Sequence, residues 1–316
     1  MKRIVLIACY FGKLPNYFEY WQMSCFYNKD IDFILFTDQS VNKVNENFKV
    51  VNISLDKLKK KINKKGLYTP QKFIPYKLCD YKPAYGKIFE DYISQYEFWG
   101  YCDIDLIFGN ISKYITDDIL NENDIILNLG HLTIYRNKKE LCEMYKNEGA
   151  IYDYKTVYMN NENFAFDEMS GMHRILKREK IKPYLNIPIA DIDKRYSRYK
   201  LYDRKNFKKQ IFLFDSGIYR YYEKDGEFFN DEYIYLHFQK KKIYIDVRNN
   251  EKFIIGSNGF LNIDDDIEKI LEKYNIYYGK SYEIIELLKY YVKKIQSFFK
   301  MNTRQKKIWI KQKVKI

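Results

Sequence analysis

The stretch FWGYCDIDLIFGN, residues 98–110, sets two carboxylates, Asp103 and Asp105, inside an aromatic and aliphatic run. An ionised carboxylate is costly to bury without a partner, so the pair either emerges at a strand end or holds a cation. The apolar residues from Phe98 to Phe108 favour a pleated strand, and Gly109-Asn110 supplies turn chemistry just after it. A two-residue spacing then places Asp103 and Asp105 on one face. Hard cations such as Mg²⁺ or Mn²⁺ take oxygen ligands and leave positions for substrate phosphates, so such a pair suits a metal-bound diphosphate. A bare D-x-D also occurs as two acids of a surface turn. A solvated turn, however, does not need so much apolar sequence on both sides.

The elements that must hold this pair alternate along the chain. RIVLIACY (3–10) is a continuous apolar strand, with Gly12 and Pro15 in the loop that leaves it. A helical pattern follows over 17–27, a second strand over 31–38 ending in Asp38, and a third over 48–55. Helical segments at 76–94 precede the strand at 97–108, and DIILN (124–128) adds another. Strand, helix, strand predicts a parallel α/β sheet, in which ligands bind at the carboxyl ends of the strands. Tyr10, Asp38 and the Asp103/Asp105 pair all fall at such ends. Farther on, FLFDSGIYRYY (212–222) reads as a hairpin turning at Asp215-Ser216-Gly217, which leaves Asp215 a turn residue without chemistry. Residues 232–247 read as strand, polar interruption and strand, and helices with acidic or Ser starts follow from Asp264. The cluster Lys57–Lys65 reads as a polar stretch before Gly66.

With 316 residues, 46% of them hydrophobic, the chain can bury a large core. Its five cysteines are scattered, odd in number and never in a C-x-x-C pair, which suggests neither a disulfide framework nor a zinc knuckle and fits a reducing cytosol. The opening MKRIVLIACYFG imitates a signal peptide but lacks a small-residue cleavage site, so a buried first strand is expected. No apolar stretch is long enough to cross a bilayer. The net charge of +13 is local: residues 284–316 carry ten lysines and arginines against one acid, Glu286, leaving +4 for the rest.

The blocks ACYFGKLPNYFEYW, IDFILFTD, KLCDYKPAYGKIF leading into FWGYCDIDLIFG, and YLHFQKKK occur in this order. Together they resemble a family of bacterial glycosyltransferases of the GT-A fold found with capsule and O-antigen genes. The resemblance implies a catalytic domain over 1–262, with a nucleotide-sugar part to about 130 and an acceptor part from about 131, and leaves helices and a basic tail over 263–316 outside it. It implies a nucleotide-sugar donor, usually a UDP-sugar, a Mn²⁺ or Mg²⁺ ion on its diphosphate, and a saccharide or lipid-linked saccharide acceptor. By position, Asp105 ligates the metal, Asp103 contacts the ribose or the metal, Asp80 and Lys82 contact the ribose and sugar, and Ala8, Tyr10 and Asp38 line the base pocket. His237 completes the metal site, with Lys240 and Lys241 beyond it on the diphosphate. The chemistry is sound, since neutral imidazole binds Mn²⁺ and lysine stabilises a departing UDP. The other reading of His237 is a satisfied core or surface histidine. His131 could face the acceptor, whereas His173 has no assigned role. In FAFDEMSGM (164–172), Asp167 or Glu168 would deprotonate the acceptor hydroxyl of an inverting enzyme, kept ionised by the N-terminus of a following helix. A helix cap with a first-turn acid is the alternative. Retention or inversion stays open.

In the tail, Ile284, Leu288, Tyr291, Val292, Ile295, Phe298 and Phe299 recur at three and four and make one helical face, with Lys289, Lys293, Lys294 and Lys300 beside it. This pattern predicts peripheral association of 284–316 with the anionic inner face of the cell membrane; a terminal helix packed on the catalytic domain is the alternative. Two rivals of other classes are a metal-dependent nucleotidyltransferase and a non-enzymatic nucleic-acid binder. The first wants a third carboxylate and a phosphate loop, and no G-x-x-x-x-G-K-[ST] is present. The second requires the D-x-D to be merely structural, and no nucleic-acid partner is expected.

Overall fold

Continuous apolar runs build the central sheet. The structure, a computed structural model, describes residues 2–42, 45–239, 242–248, 251–257, 259–274 and 279–313. Strands β1 (Ile4–Tyr10), β2 (Ile31–Thr37), β3 (Phe48–Asn52) and β4 (Phe98–Cys102) are mutually parallel, with β1 at the centre. After β5 (Leu106–Phe108), which leaves the sheet, β6 (Ile125–Leu129) and β7 (Leu132–Arg136) complete it in antiparallel sense, giving the order β3-β2-β1-β4-β7-β6. Alternate residues of β1 feed two cores: Val5 and Ile7 pack with Tyr81, Tyr85 and Trp99, while Ile4 and Leu6 pack with Trp21 and Phe33. Both faces of the parallel strands are covered, which is why their sequence is apolar without interruption.

The run at 97–108 is not the single strand expected from the sequence. It breaks at residues 103–105: β4 stays in the central sheet, and β5 crosses to a second, three-stranded sheet. The partners of β5 there come from far along the chain. β8 (Ala190–Asp191), β9 (Gln210–Asp215), β10 (Ile218–Lys224), β11 (Glu227–Tyr233) and β12 (Tyr235–His237) lead to β13 (Ile245–Asp246), β14 (Lys252–Gly256) and β15 (Gly259–Leu261). The small sheet has the order β5-β12-β8, and a third sheet has the order β11-β10-β9-β14-β15-β13. The β9–β10 hairpin turns at Ser216-Gly217 as read, with Ser216 at a positive φ of 52° and Asp215 paired with Lys252 at 2.9 Å. The basic stretch around Lys57–Lys65 is a helix, Leu55–Lys64, capped by Ser54 and burying Leu58 and Ile62. Its lysines are not bare charge: Lys61 and Lys65 both bridge to Asp91 at 2.7 Å.

A mixed α/β body is thus followed by helices. Helix Ile267–Tyr274 lays Ile270 and Leu271 on Ile211, Ile254 and Leu261 of the third sheet. Helix Lys280–Lys300 buries no residue, and helix Thr303–Lys313 turns back to seat Ile308 in the core beneath the central sheet. Among the described residues no helix is long and apolar enough to cross a membrane.

Candidate functional site

The break between β4 and β5 decides where the two acids go. Asp103 follows the end of β4, with its N–H donating to the His131 carbonyl at 3.0 Å, and Asp105 is buried just before β5. They therefore sit at a junction between two sheets and not on one face of a single strand. Antiparallel pairing sets His237 opposite Leu106, and parallel pairing sets it beside Asp191 of β8. The small sheet so gathers Asp105, His237 and Asp191 from three distant parts of the chain. The His237 Nδ1 lies 2.8 Å from Asp191 Oδ1, and its Nε2 faces Asp105 Oδ2 at 3.7 Å, beyond good hydrogen-bond length. Gln239 Nε2 donates to the same Asp191 oxygen at 2.9 Å. Burial opposes the charged form of His237, but the flanking carboxylates of Asp105 and Asp191 outweigh it and push its pKa up to about 9. The ring of His131 stacks on that of His237 at 4.0 Å, with Nε2 at 2.8 Å from the Tyr235 hydroxyl. Burial, with the charges of His237 and Lys82, holds His131 well below the ordinary histidine range.

A second group stands opposite. Lys82 is buried, its ammonium 2.7 Å from Asp103, 3.5 Å from Asp167 and donating to the Gly130 carbonyl at 2.5 Å. Burial disfavours its charge, yet the neighbouring Asp103 and Asp167 more than compensate and raise its pKa. Burial pushes the Asp167 carboxyl well up despite Lys82. Glu168 is the exposed member of the acid pair. Its carboxylate lies against Gly130 so closely that a Cβ on residue 130 would come within 2.1 Å of Oε1. Neither acid caps a helix: the helix Met172–Arg178 begins after Gly171, and both acids lie in the turn before it. Ala165 in that turn and Gln239 hold positive φ angles of 48° and 52°, strained values for residues with a Cβ.

These groups line one cavity of about 250 Å³: Lys82, Asp103, Asp105, His131, Asp167, Glu168 and His237 share it with Tyr76, Asn163, Lys194 and Gln239. Other residues named from the sequence go elsewhere. Asp80 does not reach the cavity; it is fully buried, 2.7 Å from Lys77, and accepts from the N–H groups of Phe164 and Phe166. Ala8 faces the core with Trp21 and Phe33. Asp38 lies at the end of β2, accepting from the Gly12 N–H at 2.9 Å. Tyr10 lies at the end of β1, its hydroxyl 3.4 Å from the Lys13 carbonyl. Neither Asp38 nor Tyr10 lines the cavity. Lys240 and Lys241 fall outside the described residues. His173 contacts the Asn128 carbonyl at 2.7 Å. Two residues emerge only here. Tyr17, whose phenol is raised by burial and then by Asp105, Tyr10 and Asp103, shares the neighbourhood of the acids. Asp191 is the other; its setting, IPIADID, repeats the acid-within-apolar-run signal of Asp103 and Asp105.

The donor set can be weighed against a divalent cation. A histidine whose second nitrogen is fixed by a carboxylate is how ligating imidazoles are held, and carboxylate with imidazole suits Mn²⁺. Asp105 and His237 meet that description, whereas Asp103 is turned to Lys82. Among the described residues no group of three or more His, Cys, Asp or Glu side chains is already gathered for a metal. The protein thus offers Asp105 and His237 as two donors, the imidazole ligating only on release of its second proton, and further ligands would have to come from elsewhere.

The family model described as "Family of unknown function (DUF6625)" matches residues 6–264. The chain belongs to that family. No curated protein matches it. The DUF6625 match includes every residue lining the cavity and ends before helix Ile267–Tyr274, so the last three helices lie beyond it.

Proposed function

We propose that the chain is a metal-dependent glycosyltransferase of the GT-A type, moving a sugar from a nucleotide-sugar, a UDP-sugar first of all, to a saccharide acceptor of surface polysaccharide or glycolipid synthesis. The observation that carries this reading is the meeting, in one cavity beside the ends of parallel strands, of Asp105 and the Asp191-held His237 with the Lys82–Asp103 pair and the carboxylate of Glu168. A Mn²⁺ or Mg²⁺ ion held by Asp105 and His237, with the diphosphate as its remaining ligands, would offset the charge of the leaving group. Lys82 adds a fixed cation that Asp103 and the Gly130 carbonyl keep in place. Asp103, partly exposed, keeps an oxygen for a ribose or sugar hydroxyl. Glu168 is the better placed base of the two acids, because its carboxylate is exposed at the cavity, while Asp167 is buried against Lys82. Asp167 then serves to position Lys82.

Calorimetry with UDP, GDP and CMP, each with and without Mn²⁺, tests the assignment. UDP binding that strengthens with Mn²⁺, and that Asp105→Asn abolishes without lowering Tm, is the expected result. His237→Ala should weaken it less, since water can replace one neutral ligand. If Asp105→Asn binds UDP and Mn²⁺ like the wild type, the metal site is misassigned.

A further inference from the structure

Helix Lys280–Lys300 is inside out for a helix packed on a protein. Its half-buried positions, which face the body, are Glu283, Glu286, Leu287, Tyr290, Lys294 and Phe298. Ile284, Leu288, Ile295 and Phe299 are turned to solvent with exposures of 59, 60, 56 and 71%. They recur at three- and four-residue spacing with Tyr291 and Val292 between them, so the exposed apolar atoms form one stripe. A contiguous apolar stripe of this length on a surface marks a contact.

The charge around the stripe says what the contact is. The helix has two acids, and both are turned inward: Glu283 bridges to Lys200 at 2.8 Å, and Glu286 accepts from the Ser197 N–H at 2.9 Å. Lys280, Lys289, Lys293 and Lys300 remain exposed beside the stripe. The following helix, Thr303–Lys313, adds five basic residues and no acid. A second copy of the chain meeting this face about a two-fold axis would set lysine against lysine. An apolar surface with negative charge at its edge meets both features, which is the chemistry of an anionic bilayer.

We infer that helix Lys280–Lys300 is a docking surface for anionic lipid, sinking its apolar stripe among the acyl chains while its lysines meet the headgroups. The inward ion pair of Glu283 with Lys200 and the hydrogen bond that Glu286 accepts from the Ser197 N–H fix the helix on the body with that face outward, so no refolding is needed to bind. The inference rests on this helix and the charge of the one after it, and stands whatever reaction the cavity performs.

Co-sedimentation of the full chain with vesicles of phosphatidylcholine, alone or mixed with phosphatidylglycerol, tests it. Binding should require phosphatidylglycerol and fade as salt rises. Leu288→Asp with Ile295→Asp should abolish it, and Lys289→Gln with Lys293→Gln should weaken it on the order of tenfold. All four positions are exposed, and unchanged Tm and circular dichroism identify the variants as folded. Phe299→Asp repeats the test should the double variant unfold. Equal binding to neutral vesicles, undiminished binding by the folded Asp variants, or a dimer in solution that Leu288→Asp dissociates would each overturn the inference.

Discussion

Glu168 reaches the cavity because residue 130 has no side chain. The Cβ of an alanine at that position would overlap the Glu168 carboxylate, and a carboxylate at the end of a flexible side chain yields before the backbone does. Gly130→Ala should therefore move the proposed base while leaving the fold and the Asp105–His237 pair in place. The expected outcome is a fall in turnover on the order of tenfold to a hundredfold, with Mn²⁺-dependent UDP affinity unchanged; a parallel loss of affinity would place Glu168 on the donor instead. Asp191 acts one step farther out. It holds the Nδ1 of His237, so Asp191→Asn should loosen the imidazole and cost about tenfold to a hundredfold in Mn²⁺ affinity, read by titration calorimetry. An unchanged affinity would make Asp191 merely a partner in the β8–β12 pairing.

Elements explain which of these residues could be read in advance. β1 and β2 announce themselves as apolar runs, and the acid pair of residues 103 and 105 stands out because nothing else in that run is charged. The break between them is not readable, since apolar residues alternating with acids fit one long strand as well as two short ones that part between sheets. Asp191 carries the same acid-within-apolar signal in IPIADID, but a two-residue strand gives it no period to mark it as a strand. Leu58 and Ile62 do mark the helix Leu55–Lys64, but the lysines around them mask the pattern. Asp80 shows the opposite error. The family resemblance implies a ligand contact for it, whereas its carboxylate ties down the loop that carries Asp167 and Glu168. Lys77 completes that tie, donating to the carbonyls of Val157 and Glu162 at 2.8 and 2.6 Å. Asp80→Ala leaves the Lys77 ammonium buried without its carboxylate and two N–H groups without an acceptor. Such changes cost about 3–5 kcal/mol. Thermal or urea unfolding should show that loss; a change below about 1 kcal/mol would mean that the loop is held by its other contacts.

At the scale of the molecule, the helix Thr303–Lys313, beyond the family match, closes over the same loop. Ile308 is buried in the central core, Gln305 donates to Glu162 at 2.8 Å, and Gln312 donates to the Phe164 carbonyl at 2.7 Å. Phe164 is itself fixed from the other side by Asp80, so the loop bearing the two acids is held between the body and the last helix. Tyr76 and Asn163 line both the cavity and an adjoining groove walled by Ser297, Met301, Ile308 and Trp309. The helices that face the proposed lipid surface are thus physically continuous with the site. Ending the chain at residue 302 should leave the parallel sheet folded but free one side of that loop. Hydrogen exchange across residues 161–168 should then quicken about tenfold or more, while the amides of β1 and β4 keep their protection. Ile308→Asp in the full chain should reproduce the effect, because it removes the buried anchor and leaves the rest of the helix present. Unaltered exchange in both variants would mean that Asp80 and Lys77 alone hold the loop, and that the last helix covers the site without supporting it.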